Sequence, residues 1–419
     1  MIKTFSFIID NVIKLCILIL PLSIIAFDDS GGIVFISLYL LSILGIIVKI
    51  DKISFRLCKS EKKYVFSFIF YFVIVCASVL FHDSPLRELD TPSRFILALP
   101  LFFYIRQANI DPKTFENSFI LGGMACFMVV LFHIYGSDTT SNKLILSQIG
   151  KLGLFTSVYS LILAIFFTIE ENNKKRLVIF IALILALFAM YWSASRGAWI
   201  AALMSVFFLL FLNNYRYTFK EIIKFLLTLL TIIVLVFSIG DKAKIRLQNT
   251  ILGVQYILNP EINANKEIIE KYRNDSLSLR YEIWKAAIIS IRENYVFGYG
   301  EGNFNEGVMK LIKESKSPKT ISHIKNPHSE ILSSFFEQGV FGLLSLIFVF
   351  WFPLEFALKS RREDNLKNKI KLISIPVIIV LVFFFYSIFN GVFDHQSSAL
   401  FYATFISLSL GFIIKSKSS

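Results

Sequence analysis

The sequence predicts an all-α, polytopic integral membrane protein of about 12 transmembrane helices carrying one large helical loop on the outer side of the membrane. Three observations predict it. Of the 419 residues, 55% are hydrophobic and only 17% are charged, a balance unlike that of a water-soluble domain. The mean hydropathy is +0.66, and phenylalanine alone occurs 45 times. The apolar residues also fall into runs of about 17–25, the length at which a helix crosses a bilayer.

Taken in order, the spans lie near 11–27, 32–48, 64–81, 95–105, 118–135, 152–169, 177–195, 197–213, 222–240, 339–357, 372–390 and 399–414. The first run ends in Phe27-Asp28-Asp29-Ser30 without a small-residue cleavage pattern, so it reads as a retained span and not as a removed signal peptide. The run from Phe95 to Ile105 is short and contains Pro100, the signature of a broken or tilted helix, or of one that begins nearer Ser93. Residues 1–240 then hold helices one to nine, 241–338 a loop domain, and 339–419 helices ten to twelve.

Orientation follows from the cations. With both termini cytoplasmic, the inner segments collect Lys49 to Lys63, Lys174-Lys175-Arg176, Lys359 to Lys371, and Lys415 and Lys417. The short outer loops and their borders hold little more than Arg87, Arg94, Lys143, Lys151 and Arg196. By the positive-inside rule this fixes the topology, and the formal charge of +13 becomes a topology signal, leaving no case for a nucleic-acid partner. Membrane lipid is the surrounding partner. The four cysteines, Cys16, Cys58, Cys76 and Cys126, form no C-x-x-C pair and suggest neither a disulfide framework nor a zinc site.

One connection differs from the rest. From Asp241 to Gln338 the chain makes no span, and loops of that length carry function or are disordered. Leu277 to Asn294 has helical periodicity, with Leu279, Ile283, Ala286, Ala287 and Ser290 on one stripe broadened by Trp284, Ile288 and Ile291. The run Gly298-Tyr299-Gly300-Glu301-Gly302-Asn303 breaks that helix, and a second helical stretch runs from Asn305 to Glu314. The glycine run follows a helix instead of a strand and lacks the Lys-Ser/Thr of a P-loop, so it reads as a turn that lets backbone approach something closely.

The candidate chemistry gathers around this loop. None of the five histidines has metal-site spacing and no Asp-rich run forms a calcium loop, so no metal or cofactor is expected. In Asn326-Pro327-His328-Ser329-Glu330, His328 stands at the start of a helix leading into the tenth span. The positive end of a helix dipole favours neutral imidazole, the form a general base needs. Capping or a headgroup position is the plainer alternative. Arg196 sits where the interval between two spans is too short for a real loop, so it requires water or an anionic partner. Arg280 lies on the amphipathic loop helix, where a solvated face charge is the plainer reading. Two guanidinium groups and one histidine at the outer surface together form a set able to hold a lipid diphosphate and deprotonate a hydroxyl.

Several motifs resemble the O-antigen ligase family, whose superfamily includes O-antigen polymerases and protein O-oligosaccharyltransferases. They are Ser195-Arg196-Gly197-Ala198, Leu279-Arg280-x-x-x-Trp284, Gly298-Tyr299-Gly300-Glu301-Gly302-Asn303-Phe304, and His328-Ser329 followed by Gly339 and Gly342. The resemblance implies a GT-C-like fold and an enzyme, an O-antigen ligase in the bacterial inner membrane with its active site facing the periplasm. Undecaprenyl-diphosphate-linked O-antigen would be the donor and the lipid A-core of lipopolysaccharide the acceptor. His328 would act as general base, and Arg196 and Arg280 would bind the diphosphate and stabilise the leaving group, inverting the sugar without a metal. Arg94, Arg87, Ser329 and Gly300 are weaker substrate-binding candidates. Self-association or contact with the O-antigen polymerase machinery remains open.

Two other functions compete. An O-antigen polymerase would use the same donor chemistry. A lipid-linked oligosaccharide flippase or another transporter would place carboxylates within its spans. The predicted spans hold few acidic residues, and the single large loop resembles a catalytic cap more than half of an inverted pair.

Overall fold

A computed structural model describes residues 2–26, 28–49, 54–135, 141–193, 195–211, 251, 254, 276–314, 317–318, 321–362 and 367–418. The ninth predicted span, 222–240, and the proposed boundary at 240/241 lie outside these residues. The described elements are helical throughout: α1 (Ile2–Ala26), α2 (Asp28–Val48), α3 (Lys59–Phe81), α4 (Asp90–Ile105), α5 (Pro112–Tyr135), α6 (Ser141–Ile169), α7 (Asn173–Trp192), α8 (Arg196–Phe211), α9 (Ser276–Glu293), α10 (Phe304–Lys313), α11 (Glu330–Arg362), α12 (Lys367–Ser387) and α13 (Gln396–Ser418).

Eight of these helices are long and apolar enough to cross a membrane; α2 and α8 contribute shorter apolar stretches, Gly32–Val48 and Arg196–Leu209. The chain is therefore a multi-pass membrane protein. The short run near 95–105 is the C-terminal part of α4, which starts five residues earlier than its apolar run, at Asp90, and keeps Pro100 within it.

Large apolar side chains on the outside of the bundle, among them Phe7, Leu15, Phe66, Phe132, Ile181 and Trp351, face outward because hydrocarbon solvates them. The interior is held by close packing and by hydroxyls that reach across helices. Tyr39 meets Thr404 at 2.6 Å, Tyr64 meets Ser407 at 2.7 Å, and Tyr402 donates to the Val349 carbonyl at 2.8 Å. At the centre stands α12, packed by α6, α8, α11 and α13. Its residues Ile375 and Val377 to Phe383 are all buried, so it is apolar on every side. Charges buried at the end of the bundle away from the loop are paired, which offsets their desolvation: Lys49 with Asp10 at 3.0 Å and Lys371 with Glu170 at 2.9 Å.

Outside the spans, α9 and α10 build a small core of their own. Ile283, Ala286, Ala287 and Ile291 of α9 close on Phe304, Val308 and Leu311 of α10, with Ile321, Ile324 and Phe336 of α11 completing it. The predicted α9 stripe is buried at Ile283, Ala286, Ala287, Ser290 and Ile291, half-buried at Leu279 and Trp284, and exposed at Ile288.

The loop core is strapped to the bundle at a break in α11. Gly339 has φ 66° and ψ −153°, a conformation open essentially only to glycine. The break frees two carbonyls, which accept from the Tyr299 amide (Phe336 O, 2.8 Å) and the Gly300 amide (Glu337 O, 2.9 Å). In return the Val340 amide donates to Tyr295 O at 2.9 Å. The glycine run is thus a strap that satisfies a discontinuous helix, and α11 begins at Glu330, nine residues before the predicted tenth span.

Candidate active site

Three elements bring the site together. The turn between α7 and α8 is fixed by Trp199, whose indole donates to Met190 O at 3.1 Å, and by Ser157 of α6, whose hydroxyl reaches Ala198 O at 3.1 Å. Arg196 is the first residue of α8. A cation at the positive end of a helix dipole is unfavourable alone, and backbone amides with a guanidinium there favour an anion.

Arg280 projects from the first turns of α9 and is half-buried. Its guanidinium donates to two neutral oxygens, Phe389 O at 2.5 Å and Asn390 Oδ1 at 3.1 Å. Among the described residues no carboxylate forms an ion pair with it. Burial lowers its pKa, and the charge of Arg196 pushes in the same direction. The two cations therefore lie close enough to repel.

His328 lies two residues before the first residue of α11. Ser329 is the buried N-cap of α11, its hydroxyl accepting from Leu332 N at 3.5 Å, and His328 precedes it with φ 52°. Positive φ in a non-glycine residue is uncommon, and an Asn326 Oδ1 contact at 3.2 Å to the His328 amide supports the turn. The ring stands at the surface of the site. Partial desolvation and the Arg280 charge lower its pKa below the ordinary histidine value, so the neutral form prevails near pH 7. The cause differs from the helix dipole expected from sequence, although the direction agrees.

The Arg196 charge is felt at Arg280 and the Arg280 charge at His328, which sets the three sequence candidates in one neighbourhood. Of the weaker candidates, Ser329 adjoins His328 as the N-cap of α11, and the other three lie elsewhere. Arg87 is exposed on a short 3-10 turn, and Arg94 is buried against Asp90 at 2.6 Å; neither is among the charges acting on Arg280 or His328. Gly300 packs against His82 as part of the strap.

Two features went unrecognised in the sequence. The end of α12 supplies the floor of the arginine pair: Tyr386 touches Gly197 and the Ser195 side chain, and Asn390 holds Arg280. On the other flank of α11, carboxylates from distant segments gather. Burial, followed by the charges of Asp394 and Glu88, pushes Glu301 up to about 7 against hydrogen bonds from Glu337 and Gln338. Asp394 is pushed up to about 6, again by burial and then Glu88. Among the described residues no set of three or more His, Cys, Asp or Glu is arranged to hold a metal ion.

A family model described as O-Antigen ligase matches residues 181–347, the stretch containing Arg196, Arg280 and His328. A Haemophilus influenzae protein described as uncharacterized is 30% identical over 376 residues, covering 87% of this chain and 89% of its own length. The family match suggests that this multi-pass helical membrane protein falls in the glycosyltransferase-like class that includes O-antigen ligases and polymerases. The chain belongs to the O-antigen ligase family.

Proposed function

We propose that this protein is an O-antigen ligase, transferring O-antigen polysaccharide from undecaprenyl diphosphate to a sugar hydroxyl of the lipid A-core. The observation that carries the reading is the Arg196–Arg280–His328 group: two permanent cations, of which Arg280 pairs with no carboxylate among the described residues, beside an imidazole kept neutral. In the reaction, His328 takes the proton of the acceptor hydroxyl as its oxygen attacks the anomeric carbon of the donor sugar. The bond from that carbon to the diphosphate oxygen breaks on the opposite face, inverting the centre. Undecaprenyl diphosphate departs with the electron pair, and the two guanidinium groups stabilise the added negative charge. No metal is required in this scheme.

The reading places the site on the periplasmic face of the inner membrane with both termini cytoplasmic, supported by the distribution of Lys and Arg along the sequence. The test is transfer in vitro from purified lipid-linked O-antigen to lipid A-core, with chelator present. Wild type is expected to transfer; His328→Ala, Arg196→Ala and Arg280→Ala are expected to insert normally and transfer nothing. Extension of the polymer on the carrier lipid, without attachment to lipid A-core, would instead identify a polymerase. Full activity of His328→Ala would remove the base assignment.

A further inference from the structure

The bend after α12 reaches Arg280, the backbone beside Arg196 and the start of α11 next to His328, and one side chain makes the first two of these contacts. Asn390 Oδ1 accepts from Arg280 Nη2 at 3.1 Å, beside the 2.5 Å bond from Nη1 to Phe389 O. The amide nitrogen of the same side chain lies 2.6 Å from where a Cβ on Gly197 would stand, against the backbone next to Arg196. The backbone carbonyl of Asn390 accepts from Glu330 N at 3.2 Å, two residues beyond His328. The Glu330 carboxylate answers by accepting from Val392 N and Phe393 N at 2.8 and 2.9 Å, closing the bend onto the start of α11.

We propose that Asn390 is a positioning residue of the diphosphate site: its neutral amide oxygen aims the Arg280 guanidinium at the ligand without cancelling the charge the ligand needs. This rests on the reading of the two arginines as a diphosphate site. The choice of acceptor is the core of the argument. A carboxylate is the usual partner for a half-buried arginine, yet both acceptors here are uncharged amide oxygens. They fix the fork and leave its positive charge available, and the nearby Arg196 gives the pair further reason to accept an anion. Asn390 lies outside the 181–347 stretch matched by the family model.

The test uses the full chain in lipid nanodiscs with farnesyl diphosphate as probe, comparing wild type with Asn390→Ala, Asn390→Asp and Arg280→Ala. Losing an oriented charge-assisted contact in Asn390→Ala is expected to weaken binding about tenfold. Asn390→Asp is nearly the same size and keeps an acceptor oxygen, so its melting temperature should equal or exceed that of wild type. Its binding should nevertheless weaken at least as much, because the new carboxylate neutralises Arg280. A residue serving stability alone would not separate these two readouts. Wild-type affinity in either Asn390 variant would overturn the proposal, and if Asn390→Ala fails to fold, Asn390→Asp decides. If wild type binds no better than Arg280→Ala, the arginine reading itself falls; that outcome is distinct from an Asn390 failure, in which Arg280→Ala loses binding and the Asn390 variants do not.

Discussion

The indole N–H of Trp284 donates to the carbonyl of Pro327 at 3.0 Å, tying α9, four residues after Arg280, to the turn that presents His328. The same ring lies 6.3 Å from Phe389, whose carbonyl holds Arg280. One side chain thus links the turn carrying His328 to the cation that lowers its pKa.

Trp284→Phe keeps an aromatic body against Phe389 and deletes the donor. A single hydrogen bond contributes about 1 kcal/mol. The expected result is a small loss of stability together with a clear drop in transfer, because the loosened turn misplaces His328. Thermal melting and initial transfer rates measured on one preparation check this.

His328 should titrate below the ordinary histidine value of about 6.5. The sign follows from the causes: desolvation and the Arg280 charge both disfavour imidazolium, so protonation needs a lower pH. The acid limb of the transfer profile should fall at correspondingly low pH. In Arg280→Gln the cation is gone and the His328 midpoint should rise, read by histidine-selective labelling and NMR whether or not that variant transfers. An unchanged midpoint would contradict the coupling.

Gly339→Ala should be among the most damaging substitutions outside the site. Its φ and ψ are unavailable to alanine at a cost of about 1–3 kcal/mol, and the added Cβ would strike the Val296 carbonyl. The strap would have to leave α11, baring the Phe336 and Glu337 carbonyls. Protease accessibility of the 294–304 segment should rise, and transfer should fall with it.

Glu301→Gln tests the carboxylate cluster. Because burial and neighbouring acids raise the folded-state value to about 7, above the unfolded value, the folded protein binds more protons than the unfolded chain between those two values. The group therefore costs stability progressively as pH rises through that window. Glutamine mimics the protonated acid, so the variant should melt above wild type at about pH 8 and close to it at about pH 5. A constant difference across the range would refute the assignment.

Much of this was legible from local pattern. Eight described spans follow from apolar run length and α9 and α10 from periodicity, while the family motifs single out Arg196, Arg280 and His328, which the fold sets in one neighbourhood. What escaped detection depended on distance along the chain. Asn390 reads locally only as a turn residue before Gly391, since its importance comes from reaching Arg280, Gly197 and Glu330 across the fold. The carboxylates Glu88, Glu301 and Asp394 come from three separate segments. The sequence starts a helix at His328, two residues before the observed Glu330, yet takes the span itself only from 339, because Glu330, Glu337 and Gln338 look too polar for a span. The backbone bonds accepted by Glu330, and the strap across the break at Gly339, are what allow polar residues there.

That Arg280 rests on Phe389 and Asn390 has a consequence for biogenesis. The ribosome delivers both arginines and the histidine well before the residues that orient Arg280. Until α12 has been threaded into the bilayer and its following bend has closed, the nascent chain holds reactive groups without their template. On the ligase reading, lipid-borne sugars meeting a half-inserted intermediate would find Arg280 without its orienting acceptors, so turnover would wait on assembly.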